Sequence, residues 1–568
     1  MKQSKENQKT RALCGKSHRY PCFYIYLNKK QGETMKYNNL YNFKNPVKNF
    51  LNIDNLEFPD KVSEFKLWDL CWVKPFNFRV RKQGDKYRTI KMPNILNFMR
   101  AYEYFKDMSN FEDVQSMDPL HKRLSANIET GDFKSGEYDR QLEEDFEKLC
   151  IYDNLIKVDI KEYYGRIYTH KLDFEKHDER FLTCMNLGAT NGLIMGNYLS
   201  LYFAELNLKN ISNDIENELR NSDIQCKFSY FSDDFYFFCN KNDNEKIIKI
   251  FDHVLEKYEL ERNDGKKEVW NYETFNSYNM VERYWKKIMA HCNEKFIKEE
   301  KIKEKYHSED FAYKLYFINQ IIYRISSLND EKQKKVLINN FFKTRYFREL
   351  ELDEYQVKNY DYHQLCFIFK YSPESMLYSI DKFTEMDKFD KQKVKEFFKV
   401  RYKEALKEPF NEEQLYFYYA IKLMGFDDII KNEKALVLKS NNQILISYYL
   451  KDKEFDKNEI EELKQNTDEG YWFQNYHMIL YTPEMWDNLN SSITKYLMPK
   501  NAFNKTEDDF PTRNSKSKQR NYYMNFYKKN LELGNSIIRD IEDVTEEIQE
   551  YLELKIKEYE EVFEEDID

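Results

Sequence analysis

From residue 36 to about 290 the apolar positions come in short runs rich in β-branched and aromatic residues, separated by longer stretches with apolar residues every three or four positions. "LIKVDI" (155–160) and "KFSYFSDDFYFFC" (227–239) read as strands, the second as a hairpin broken at Ser232 with two acids at its tip. "NYLSLYFAELNLKNISNDIENEL" (197–219) reads as a helix. Beyond about residue 300 the helical spacing takes over, as in "AYKLYFINQIIYRISSL" (312–328), "KQKKVLINNFFKTRYFREL" (332–350) and "DKQKVKEFFKVRYKEAL" (390–406). In "NEEQLYFYYAIKLMG" (411–425) Asn411 is the expected N-cap, acids fill the first turn and Gly425 closes the helix. No motif recurs at a fixed period, so a repeat-like helical domain follows from helix density alone. A last helix, from about 535 to 563, carries an apolar stripe expected to dock on the body, with an acidic face left to solvent.

The pattern predicts α/β followed by all-α. Three segments follow: a basic N-terminal extension (1–35), a mixed α/β region (36–295) and a helical domain with an acidic C-terminal helix (296–568). Composition agrees. Only 13 Gly and 11 Pro in 568 residues favour long helices over a turn-rich β-sandwich. Nine cysteines without a CxxC pair or a Cys/His cluster read as reduced thiols in a cytoplasmic protein. A mean hydropathy of -0.86 and the lack of a long apolar run argue against a membrane span. The first thirty residues hold eight Lys/Arg and one Glu without an apolar core, which is not a secretory signal. They are either a basic arm or coding sequence upstream of a second start at Met35. The net charge of -9 is concentrated in the tail, where residues 539–568 hold fourteen acids and three bases. The rest of the chain is slightly positive, so an acidic total does not exclude a nucleic-acid partner.

Asp233 and Asp234 stand side by side in an aromatic run, and two half-buried like charges need a cation. Asp is also an ordinary turn residue, as "FDDII" (426–430) and "EDDF" (507–510) illustrate. Asp159 alters the balance, because it leaves the end of an apolar strand just before a turn with two tyrosines. A strand-end carboxylate beside a hairpin-tip pair can hold two hard divalent ions roughly 3.5–4 Å apart.

With these residues the sequence resembles the reverse transcriptases. "VDIKEYYGRI" (158–167) is similar to their motif A, "GLIMGNYLS" (192–200) to motif B, "FSDD" (231–234) to motif C and "LERNDGKKEV" (260–269) to motif D. "KYRTIKMPN" (86–94) is similar to the basic fingers segment. "YRTIKMPNILNFM", "IYTH" and "GNYLSLYFAEL" resemble the abortive-infection, AbiK-like group of defence reverse transcriptases in particular. In that group a fingers-palm core precedes a helical domain.

The resemblance implies a nucleotidyltransferase that makes DNA from dNTPs in antiphage defence. Asp159, Asp233 and Asp234 would be catalytic and hold Mg²⁺, with Mn²⁺ as a substitute, and the Ile160 carbonyl would be a further ligand. Arg88, with Lys91 as its stand-in, would clamp the triphosphate. Tyr164 would exclude a ribose 2′-hydroxyl, Gly192 and Gly196 would let the backbone approach the nucleotide, and Lys266 would sit near the leaving pyrophosphate, with Lys267 blurring that assignment. Two departures stand out. Ile194-Met195 replaces the usual Pro-Gln of motif B, and Phe231 replaces the motif C tyrosine. Both remove polar contacts near a nascent base pair and fit untemplated synthesis primed by a protein tyrosine, with product DNA left attached. Tyr37 and Tyr41 are the nearest such tyrosines to the start of the body. Copying of a dedicated non-coding RNA, an inactive palm acting as a nucleic-acid-binding or oligomer scaffold, and a helical half that captures a phage protein remain open. The resemblance also implies a homo-oligomer.

Overall fold

A computed structural model of the protein describes residues 37–42, 46–58, 70–106, 114, 117–124, 126–127, 132–133, 137–172, 179–280, 321–348, 357, 359–500 and 514–565. The expected basic extension (1–35) and the expected boundary near 295 lie outside these residues. The described residues form one compact unit.

A short helix α1 (Tyr37–Tyr41) precedes an antiparallel hairpin, β1 (Phe76–Gln83) and β2 (Lys86–Met92). The hairpin closes through Gly84-Asp85, with Gly84 at φ +55°. Along β2 only Ile90 and Met92 are buried. By strand alternation Arg88 shares their face and Lys91 takes the other. Helix α2 (Ile95–Lys106) follows, then α3 (Glu137–Ile151). Next comes β3 (Asn154–Asp159), the inner strand of a four-stranded antiparallel sheet. The long helix α4 (Tyr198–Asn221) separates β3 from the hairpin β4 (Cys226–Phe231) and β5 (Asp234–Cys239). Its first turn is capped by Asn197, whose side chain accepts from the Ser200 N–H at 3.0 Å. Helix α5 (Asn244–Lys257) and the short edge strand β6 (Glu268–Trp270) complete the sheet, in the order β4-β5-β3-β6. The aromatic run thus buries Tyr230, Phe235 and Phe237 in the main core, and turns Phe238 to a smaller cluster with Leu142, Phe146, Leu149, Leu155 and Phe275.

The C-terminal half is helical as expected, with three local differences. The stretch 332–350 is not one helix. It runs from Glu331 to Phe342 and breaks where the Thr344 hydroxyl donates to the Phe341 carbonyl at 2.7 Å, before a short turn Arg345–Arg348. Helix α6 (Asn411–Met424) ends as expected at Gly425, φ +74°, but Asn411 is not its cap. The Asn411 side chain instead accepts the Arg79 N–H of β1 at 2.9 Å. The last helix begins later than its periodicity indicated. Ile538 pairs with Leu51 in an antiparallel bridge, which holds the preceding residues extended. Between them and α6 lies helix α7 (Asn514–Leu533), and the last helix is α8 (Ile541–Glu565). Ile541, Val544, Ile548 and Leu552 of α8 are buried, so its apolar stripe does dock.

The two halves share one core. The free edge of β1 is closed by α6, where Glu412 accepts the Arg81 N–H at 2.7 Å. Glu413 takes the Arg81 guanidinium through both oxygens, and the guanidinium lies 3.5 Å from the Phe410 ring centre. Beneath α2, Tyr523 of α7 donates to Asn97 and accepts from the Cys71 N–H at 3.1 Å, while Asn94 donates to Tyr527 at 2.6 Å. The β1–β2 hairpin is therefore built against the helical half.

Candidate active site

The β4–β5 hairpin turns through Ser232 and Asp233, and Ser232 takes the left-handed conformation at φ +55°. Asp234 is already the first residue of β5, so the two acids are one loop residue and one strand residue, not both at the tip. Register does the rest. Asp234 lies directly opposite Asp159, the last residue of β3, and the Ile160 N–H donates to the Asp233 carbonyl at 2.9 Å. Asp159 and the distant Asp233-Asp234 pair are thereby gathered at one end of the sheet. Ile160, wholly buried, directs its N–H to the hairpin tip, and in extended backbone its carbonyl shares that side.

Lysines compensate two of the three acids. Asp159, 2% exposed, receives the Asn263 amide at 2.8 Å and a close ion pair from Lys266. Lys266 rather than Lys267 makes this contact, and the Asn263 N–H holds the turn by donating to the Asp159 carbonyl at 2.7 Å. Lys157, which the sequence reading passed over, reaches Asp234 at 3.2 Å. Among the described residues Asp233 has no such partner of its own. Burial pushes its carboxyl above the usual range, and the charges of Asp159 and Asp234 push further in the same direction, against a smaller opposing pull from Lys266.

Among the described residues no group of three His, Cys, Asp or Glu side chains is spaced ready to hold a metal ion. The donor set nonetheless fits a hard divalent cation: carboxylate oxygens from three residues, and a surplus of negative charge on Asp233 that the lysines leave unanswered.

Motif A and motif B are joined backbone to backbone. The Leu193 N–H donates to the Tyr164 carbonyl at 2.8 Å and the Gly192 N–H to the Ile167 carbonyl at 3.0 Å. Gly192 sits at φ +88°, and a Cβ there would stand 3.1 Å from the Gly165 carbonyl oxygen. Only glycine meets both conditions. Gly165 escaped the sequence reading, although it interrupts "YYGR".

The paired tyrosines separate by role. Tyr163 is buried and its hydroxyl donates to the Ala204 carbonyl at 2.7 Å. Tyr164 is half-buried, and its hydroxyl lies within the fields of Glu205 and Asp233, which raise its pKa beyond the effect of burial, and of Arg88, which lowers it. Arg88 and Asp233 thus both lie near enough to the Tyr164 hydroxyl for their charges to act on it. Lys91 does not join them, since it donates to Asn186 at 3.2 Å from the other face of β2. Gly196, φ +112°, lies under the fingers hairpin, where a Cβ would meet Ile90 Cγ2 at 3.1 Å and Asn42 Oδ1 at 3.7 Å. Asn42 is a third residue the sequence reading missed, because an isolated Asn carries no signal. Neither N-terminal tyrosine presents a free hydroxyl. Tyr41 is buried and donates to the Pro93 carbonyl at 2.6 Å, and Tyr37 donates to Glu103 at 2.9 Å with its pKa pushed up to about 12, first by burial.

No protein-family model matches the chain, and no curated protein sequence does. Among solved structures the chain is similar to telomerase from Candida albicans, in complex with a TWJ fragment of telomeric RNA. The two are 13% identical, over 76% of this chain and 67% of that one, with a TM-score of 0.26. A likeness at that level says nothing about activity. No helix among the described residues is long and apolar enough to cross a membrane.

Proposed function

We propose that the protein is a nucleotidyltransferase of reverse-transcriptase type that polymerises dNTPs. The observation that carries the reading is the register of Asp159 against Asp234, with Asp233 tied to the next backbone amide and left without a cation of its own. A scaffold gains nothing from such a cluster. Asp159, Asp233 and Asp234 would hold Mg²⁺, or Mn²⁺ in its place, and the Ile160 carbonyl is placed to assist. Divalent ions there would activate the attacking hydroxyl and neutralise the leaving pyrophosphate. Arg88 grips the triphosphate, Tyr164 lies against the sugar, and Lys266, released from Asp159, serves the departing phosphates.

Untemplated, protein-primed synthesis in antiphage defence is the finer form of this proposal. Its support is the composition of motifs B and C. Met195, partly exposed, stands where a template-copying enzyme would carry the amide, and Ile194 beside it is buried. The priming hydroxyl is unassigned, since Tyr37 and Tyr41 are both engaged.

The test is incubation of the full chain with Mg²⁺ and each labelled dNTP singly, without primer or template, beside Asp233→Asn. Label that stays with the protein until proteolysis, and is absent from the variant, is the expected result. Incorporation only after RNA is added would transfer the reading to an RNA-templated enzyme. No incorporation under either condition would remove the polymerase proposal.

A further inference from the structure

We propose that Asn42 is a nucleotide-positioning residue whose carboxamide binds the sugar–base end of the incoming dNTP. This rests on the polymerase reading and extends it to a residue outside every segment of the resemblance. Asn42 is 1% exposed, and among the described residues neither its side-chain oxygen nor its nitrogen has a hydrogen-bond partner. Burying both ends of an amide unpaired is unfavourable, and native folds keep such groups chiefly where a ligand or function uses them.

The surroundings are not loosely built. The Asn42 N–H donates to the Asn38 carbonyl at 3.2 Å. The Asn38 side chain braces the Leu51 carbonyl at 2.6 Å and the Ile53 N–H at 2.7 Å, and Tyr41 fastens the segment to Pro93 at the end of β2. The side chains of Asn38 and Tyr41 are both bonded, while the Asn42 side chain beside them, near Gly196, is not.

That placement is specific. Asn42 Oδ1 lies 3.7 Å from the point a Cβ on Gly196 would occupy, beside Ile90 of the fingers hairpin. Arg88 precedes Ile90 by two residues on the same face of β2, a strand rise of roughly 6.6–6.8 Å. Asn42 therefore lies by Gly196 on the Ile90 side of the strand, two residues along β2 from Arg88. Motif B has lost its own amide to Ile194-Met195, and Asn42 supplies one from α1's end of the chain to the same glycine. Ile90 Cγ2 lies 3.1 Å from the point a Cβ on Gly196 would occupy, so the proposed contact requires the hairpin to shift away from Gly196 when the nucleotide enters.

The experiment compares wild type, Asn42→Leu and Asn42→Ala in the full chain. Melting temperature is read with and without each dNTP in Ca²⁺, and KM and kcat for single-dNTP incorporation in Mg²⁺. The expected outcome is that Asn42→Leu melts no lower than wild type without nucleotide, because an unpaired amide has been removed. It should lose most of the dNTP-induced shift and raise KM at least tenfold, with kcat changed far less and the preference among the four dNTPs flattened. If Asn42→Leu does not fold, Asn42→Ala is read by the same criteria. Variants that bind and incorporate like wild type would overturn the role of Asn42 and leave the polymerase intact. So would lower melting with an unchanged KM, which marks a structural residue. A wild-type chain that neither binds nor incorporates any dNTP would overturn both.

Discussion

Asp233 is the residue whose chemistry and stability pull in opposite directions. Its folded pKa is raised, so its contribution to stability is whole below the ordinary carboxylate pKa and lost as pH rises through the folded value. At neutral pH the ionised form is a burden on the fold. Asp233→Asn should therefore abolish dNTP incorporation while leaving the melting temperature unchanged or higher. Mg²⁺ should raise the melting temperature of wild type and do so less for the variant, and an equal gain in both would remove Asp233 from the metal site. Gly192 makes the opposite case, since its importance is steric. Gly192→Ala meets a positive φ and the Gly165 carbonyl together, and should cost about 1–3 kcal/mol in denaturant unfolding. A cost near zero would mean that the motif A–motif B junction relaxes.

Elements are joined here by groups whose ionisation matters. Burial pushes Glu412 up to about 8, with Glu413 and Glu374 adding to the rise and the Arg81 N–H and Lys335 opposing it. The protonated acid is favoured in the fold, so this contribution is whole below about pH 4.5 and disappears as pH climbs through 8. Urea midpoints between pH 5 and 9 should fall for wild type and flatten for Glu412→Gln, which keeps an oxygen for Arg81; parallel curves would contradict this. In α8 the buried stripe carries the energy. Ile548→Ala should cost about 2–5 kcal/mol, whereas Glu546→Gln on the exposed face should change stability by less than about 0.5 kcal/mol.

At the scale of the molecule, the helical half completes the α/β half. Tyr523, Phe526 and Tyr527 of α7 are buried under α2, and Asn530 exchanges two hydrogen bonds with the backbone of Glu57, at 2.9 and 2.8 Å. A chain ending before residue 514 should lose cooperative unfolding and expose apolar surface, seen as dye binding and aggregation. A truncated chain that melts sharply and still binds dNTP would show that the first half folds alone.

Local patterning was sufficient for much of this. The aromatic hairpin, the long helix after "GLIMG", the Gly425 stop and the docking stripe of α8 all depend on residue type and short-range spacing, which the sequence states directly. The junction of Asp159 with Asp233 and Asp234 was also readable, because strand ends and hairpin turns fix where such residues emerge. Long-range pairing was not. Lys266 on Asp159, Lys157 on Asp234, Asn411 capping β1 in place of its own helix, and Asn42 beside Gly196 join residues far apart in the chain, and each single residue has an ordinary local explanation. Propensity sets what a segment becomes. Which donor meets which acceptor across the fold is decided only when the chain packs and burial forces each polar group to find a partner, or leaves one without.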